Sequence, residues 1–221
     1  MLRAALTILW KDLKIEIRTK EAISAAFVFC VLTLVIFNFA LDTNAEEARR
    51  LAAGFFWVAF AFSGVLALNR SFAIEKESGC ARALMLAPID RGAIYVGKFA
   101  ANVIFMFLIE LLVLPLFMIF FDVQVGSSIG WLLLIFFLGA VGFSSVGTLF
   151  SAVAANTRMR ELLLPILLLP VTIPALIASV EATSWALGAP IEVSFWFKLL
   201  VVYDVVFVTA CFLVFEFVLE E

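Results

Sequence analysis

A chain of 221 residues that is 65% hydrophobic and only 15% charged has far more apolar surface than a water-soluble core can bury. Its 15 Lys and Arg against 18 Asp and Glu leave a net charge of -3, and nearly all of this charge falls in short segments between long apolar runs, the patterning of a bilayer protein. The complete absence of histidine excludes Ser/His and Cys/His nucleophiles, the commonest metal ligand and the usual axial ligand of haem.

Residues 1–21 predict an amphipathic helix. Leu2, Leu6, Leu9, Trp10, Leu13 and Ile17 recur at three- and four-residue intervals, while Arg3, Thr7, Lys11, Lys14 and Arg18 fall mostly on the other side and Ile8 and Ile15 lie off the stripe. Such a helix lies along the inner membrane surface. The plainer alternative is a charged flank that only enforces orientation.

A helix needs about 20 apolar residues to cross the hydrocarbon, and six runs approach or exceed that length, at 22–41, 52–69, 94–121, 128–153, 161–180 and 197–218. The chain therefore reads as one all-α transmembrane domain of six spans. The third and fourth runs exceed what a bilayer requires and should tilt, kink or protrude. With the N-terminus inside, the inner segments hold Arg3, Lys11, Lys14, Arg18, Lys20, Arg70, Lys76, Arg82, Arg91, Lys98, Arg158 and Arg160, and the outer ones only Arg49, Arg50 and Lys198. The positive-inside rule then places both termini in the cytoplasm. The first apolar run begins near Ala22, and Asp42-Thr43-Asn44 after it lacks a small-x-small cleavage pattern, so the first span is expected to be an uncleaved anchor.

The inner loop at about 70–93 mixes charge with an apolar ridge at Ala81, Leu84 and Met85. Two readings stay open: a short helix whose greasy edge docks into a partner's groove, with a bend at Gly79 and an exit fixed by Pro88, or a solvated hairpin joining two spans. The stretch Gly92-Ala93-Ile94-Tyr95-Val96-Gly97-Lys98 matches seven positions of a phosphate-binding loop. Phe99 stands where Ser or Thr should hold magnesium, and the stretch opens a hydrophobic span, so nucleotide must be handled by another chain.

Glu110, Asp204 and Glu216 fall inside the predicted spans. Glu216 is near enough to the end to reach water. Glu110 and Asp204 must face other helices, accept hydrogen bonds or be protonated, either as structural hydrogen-bonding groups or as part of a transport path. The fourth span carries Gly139, Gly142, Ser144, Ser145, Gly147, Ser151 and Ala155, small residues that let helices approach closely within the protomer or across a dimer. The fifth carries Pro165, Pro170 and Pro174, each removing a backbone donor, which predicts a kinked helix that is either a hinge or a static bend. Cys30, Cys80 and Cys211 form no CxxC pair and read as apolar fillers. No nucleic-acid footprint is present, because the basic residues follow the membrane boundaries.

Several segments together carry a resemblance: Val141-Gly142-Phe143-Ser144-Ser145-Val146-Gly147-Thr148-Leu149-Phe150; Asn156-Thr157-Arg158-Met159-Arg160-Glu161-Leu162-Leu163-Leu164-Pro165; and Glu181-Ala182-Thr183 beyond Pro170 and Pro174. With Lys11-Asp12-Leu13-Lys14-Ile15-Glu16, Arg18 and Glu21, and Glu77-Ser78-Gly79-Cys80 followed by Pro88, Asp90-Arg91 and Gly97-Lys98, the chain resembles the haem exporter protein B (CcmB) family over most of its length.

The resemblance implies an exporter-type, ABC-2-like permease subunit of the bacterial inner membrane, without catalysis of its own, in the system that matures c-type cytochromes. It implies a separate ATPase (CcmA), the haem-handling membrane protein CcmC, the small CcmD and the haem chaperone CcmE as partners, with two copies of this chain around two ATPase subunits. No cofactor is expected on this chain: ATP sits on the ATPase and haem on partner subunits. By the same likeness the loop is the coupling element seated in the ATPase, with Glu75, Glu77, Gly79, Arg82, Leu84 and Arg91 as contacts and the N-terminal helix as an elbow beside it. Two other readings use the same plan: an exporter of another lipid or drug-like substrate, and a non-transporting scaffold that relays ATPase motion.

Overall fold

The computed structural model describes the backbone of residues 1–40, 45–77, 90–123, 125–155, 157 and 159–218, and the side chains of these apart from 45–50, 70–77, 127 and 160–161. Seven α-helices follow one another among the described residues: α1 (Leu2–Thr19), α2 (Glu21–Ala40), α3 (Ala45–Glu77), α4 (Arg91–Phe120), α5 (Ile129–Ala155), α6 (Arg160–Ala186) and α7 (Val193–Val218). A single 3-10 turn at Gly126–Ser128 precedes α5. Helices α2 to α7 each contain an apolar window long enough to cross a membrane, giving six spans after an amphipathic first helix.

Two boundaries differ from the apolar runs in an instructive way. Helix α6 continues past residue 180 to Ala186 because the polar residues that end the run are compatible with a helix in a bundle. Ser184 donates its hydroxyl back to the Val180 carbonyl (2.9 Å), and Thr183 faces a neighbouring helix. Helix α3 extends through Arg70 to Glu77, beyond its apolar window Leu51–Asn69, so the first part of the inner loop is a direct continuation of a span. The ridge Ala81, Leu84 and Met85, and the proposed bend at Gly79, lie outside the described residues.

The turn from α1 into α2 has no linker. Lys20 takes a left-handed conformation (φ 56°) and donates its N–H to the Glu16 carbonyl at 2.6 Å. The Glu16 carboxylate then accepts from the Ile23 N–H at 2.8 Å, satisfying one of the donors that the first turn of α2 leaves unpaired. One acidic side chain thus fixes the angle at which the amphipathic helix meets the first span.

Helices α3 and α5 form the centre: 61% and 56% of their apolar windows are buried, against 22% for α2 and 28% for α7. The small residues of α5 explain its position. Gly139 lies under the indole of Trp57 from α3, Gly142 faces Asp204 and Tyr203 of α7, and Gly147 faces Leu68 of α3. The packing surface anticipated for this helix is therefore used within the protomer. An aromatic column completes the core, with Phe56 stacked on Phe136 at 4.6 Å and Phe60 against Phe143 at 5.3 Å.

Side-chain hydrogen bonds stitch the bundle where hydrocarbon supplies no partners. Trp57 Nε1–H donates to Thr183 Oγ1 (2.9 Å), Asn102 Nδ2–H to Thr148 Oγ1 (2.9 Å), Ser151 Oγ–H to the Leu68 carbonyl (2.7 Å) and Tyr95 Oη–H to the Ser145 carbonyl (3.2 Å). On α6, Pro165, Pro170 and Pro174 all lie within the helix. Thr172 Oγ1–H donates to the Leu168 carbonyl at 3.0 Å, and Tyr203 Oη–H of α7 donates to the Val171 carbonyl at 3.1 Å. Pro170 and Pro174 withdraw the backbone donors of the Ile166 and Pro170 carbonyls, and the two hydroxyls add bonds to other carbonyls of the same stretch.

Candidate coupling face and intramembrane carboxyls

Contacts sort the helix termini into two groups. At one end lie α1, the beginning of α4, and the last turns of α3, α5 and α7, joined by Tyr95 to Ser145, Ser151 to Leu68, and Arg91 Nη1–H to the Glu216 carbonyl at 3.2 Å. At the other end Asn38 of α2 donates to the Phe120 carbonyl that terminates α4. That second end also holds a triangle of Trp131, Trp185 and Phe197, with ring centroids 5.6 to 6.3 Å apart. Aromatic side chains gathered at helix ends match the belt expected at a membrane interface.

The α1 end is built around a close approach of α1 to α4. A Cβ at Gly97 would lie 2.7 Å from the Ala5 carbonyl oxygen and 2.9 Å from Ile8 Cβ, so only glycine admits this contact. One residue further along, Lys98 Nζ lies 3.3 Å from Asp12 Oδ2, with the lysine side chain 0% and the aspartate 14% exposed. Lys11 Nζ adds a second cation at 3.0 Å from the other Asp12 oxygen. Asp90 caps α4 by accepting the Gly92 N–H at 2.9 Å. The seven-residue phosphate-loop match thus lies in a capped helix whose lysine is turned onto α1, the opposite of a loop cradling phosphate.

The apolar stripe of α1 faces away from the protein. Leu2 is 75% exposed, Trp10 70% and Ile17 67%, whereas Ala5 and Ile8 are each 5% and Glu16 4% exposed. Ile8, which breaks the simple amphipathic pattern, is the residue that packs on α4. The helix therefore has two apolar faces, one packed on α4 and one turned away from the protein.

Of the residues assigned to coupling, Glu75 and Glu77 belong to the last turns of α3, their side chains not among those described, while Gly79, Arg82 and Leu84 lie outside the described residues. Arg91 opens α4 beside the end of α7. The described flanks of the loop, the C-terminal part of α3 and the start of α4 at Arg91, lie at the end where α1 sits.

The two intramembrane carboxyls occupy different environments. Glu110 of α4 is 1% exposed, enclosed within the bundle. Asp204 of α7 is 6% exposed and points at Gly142 of α5, where a Cβ would lie 2.6 Å from Oδ1. Neither carboxyl has a hydrogen-bond partner among the described residues. Glu216 is exposed near the end of α7, as expected.

The sequence has counterparts among known proteins. The profile of the family described as "CcmB protein" matches residues 3–218. The chain belongs to the CcmB family. The heme exporter protein B of Rhodobacter capsulatus is 30% identical over 187 residues, covering 84% of this chain and 85% of that protein. That of Paracoccus denitrificans is 30% identical over 176 residues, 79% and 80% of the two chains, and that of Pseudomonas aeruginosa 26% identical over 170 residues, 77% and 76%.

In this CcmB chain the buried Asp12–Lys98 pair and the Glu16 cap were not singled out by sequence reasoning. Lys98 stands with the inner charges yet falls inside the run 94–121. A lysine within a predicted span demands a partner as firmly as Glu110 does, and that was the available signal.

Proposed function

We propose that this chain is the membrane subunit of a complex that couples ATP hydrolysis by a separate ATPase to haem export, or to release of the haem-loaded chaperone CcmE, at a bacterial inner membrane during cytochrome c maturation. The observation that carries this reading is the whole-chain CcmB match, with relatives named as heme exporters. The chain supplies spans and a coupling loop. A separate ATPase (CcmA) binds ATP, CcmC and CcmD accompany it, and two copies of the chain surround two ATPase subunits. The bias of Lys and Arg toward the α1 end supports a cytoplasmic position for that end and both termini.

The mechanism follows from the helices that flank the loop. Closure of the ATPase moves residues 78–89, through contacts by Glu75, Glu77, Gly79, Arg82, Leu84 and Arg91. Both flanks are continuous helices, so the displacement passes into α3 and α4 as rigid bodies. Helix α6, with its three prolines and its tie to Tyr203, is the segment that yields. Glu110 and Asp204 are the polar groups placed to respond within the membrane.

The test is co-purification with the ATPase followed by ATP hydrolysis, comparing wild type with Glu77→Lys and Leu84→Asp. Both variants are expected to lose association and stimulated hydrolysis while eluting from size exclusion as the wild type does. Full association in both would remove the ATPase from this loop.

A further inference from the structure

The surface of α1 that faces away from the protein divides into two parallel strips. At about 3.6 residues per turn, Leu2, Leu6, Leu13, Ile17 and Trp10 share one strip, and Arg3, Lys14 and Arg18 the adjoining one. Leu6 is 54% exposed, and Leu2, Trp10 and Ile17 more so. The three basic residues are exposed, and none of them forms an ion pair among the described residues.

The acids of the helix are all turned the other way. Asp12 faces Lys98 and Glu16 caps α2, so the outward face of α1 carries cations and apolar side chains but no carboxylate. Trp10 lies between the strips, where an indole suits the headgroup level.

We propose that α1 is a docking surface for anionic phospholipid headgroups of the leaflet on which it lies, with the apolar strip in the acyl boundary and Arg3, Lys14 and Arg18 on lipid phosphates. Charge complementarity selects the occupant. A zwitterionic surface matches the apolar strip and leaves three cations without counter-charge. An acidic soluble protein matches the cations and leaves the four exposed side chains Leu2, Leu6, Trp10 and Ile17 beside them in water. An anionic bilayer matches both strips at once.

The consequence reaches beyond α1. Gly97 on Ala5, Lys98 on Asp12 and the Glu16 cap tie the helix to α4 and α2, so lipid held by α1 fixes the height of the first turn of α4 at the membrane surface. This proposal does not depend on the ATPase reading.

The experiment is hydrogen–deuterium exchange of the full-length protein in nanodiscs of phosphatidylcholine, alone or with phosphatidylglycerol as about a third of the lipid. Each surface cation is worth about fivefold in binding to an anionic leaflet. Phosphatidylglycerol is therefore expected to slow exchange over residues 2–19 about tenfold or more, and high salt to erase the difference. The triple variant Arg3→Gln/Lys14→Gln/Arg18→Gln is expected to lose the response, and Arg3→Lys/Arg18→Lys to keep it, both with wild-type exchange in α5. Identical wild-type exchange in the two lipids would overturn the proposal, as would a triple variant that responds like the wild type.

Discussion

Asp12→Asn lowers the stability of the purified protein by about 3 kcal/mol or more, because it withdraws the carboxylate that faces a completely buried ammonium. The Lys98 side chain is 0% exposed and cannot turn to water without separating α1 from α4. The reverse change is milder. Lys98→Met leaves a carboxylate that is 14% exposed and retains Lys11 at 3.0 Å. Replacing both, as Asp12→Leu/Lys98→Met, removes the buried charges together and is expected to recover most of the loss, since a well-packed apolar pair often equals a buried ion pair in stability. Thermal unfolding in detergent reads all three. Equal, small shifts for the two single variants would show that the pair does not hold α1 in place.

Gly139→Ala is the second large effect. A methyl group there would overlap Trp57 Cη2 and lie 2.6 Å from Cζ3. The indole cannot withdraw: it is 1% exposed, bonded to Thr183, and enclosed by Phe56, Phe60 and Phe136. Overpacking of this kind ordinarily costs about 1–3 kcal/mol, and the contact falls well inside any tolerable separation, so the upper end or failure to fold is expected. Gly54→Ala is the control. Nothing lies within 4 Å of its added Cβ, and a helical glycine replaced by alanine gains about 0.5–1 kcal/mol. Melting temperatures that move in opposite directions would confirm that α3 and α5 meet at Gly139. A tolerated Gly139→Ala would mean that they do not.

The spans were legible because hydrocarbon allows few alternatives: a long apolar run must be a helix with its backbone bonded internally. The small residues of α5 were legible as a packing face for a similar reason, since only they permit the approach of Trp57 and Leu68. What the pattern could not reveal was pairing at a distance in sequence. Asp12 and Lys98 belong to different helices, and each alone reads as an ordinary boundary charge. Ile8 lies off the amphipathic stripe because a helix that packs on α4 with one side and presents the stripe on another needs apolar residues on both. Periodicity averages over one face and hides the second. The length of α6 was underestimated because Glu181, Thr183 and Ser184 interrupt hydropathy without interrupting the helix.

The most direct test of the central claim uses sealed vesicles containing the ATPase and the other membrane subunits, assembled with and without this chain, and follows haem on the outer side after ATP is supplied inside the ATPase-facing compartment. ATP-dependent appearance of haem, free or bound to its chaperone, only when this chain is present and lost with Leu84→Asp, is the predicted result. The same appearance of haem from vesicles lacking this chain would contradict it.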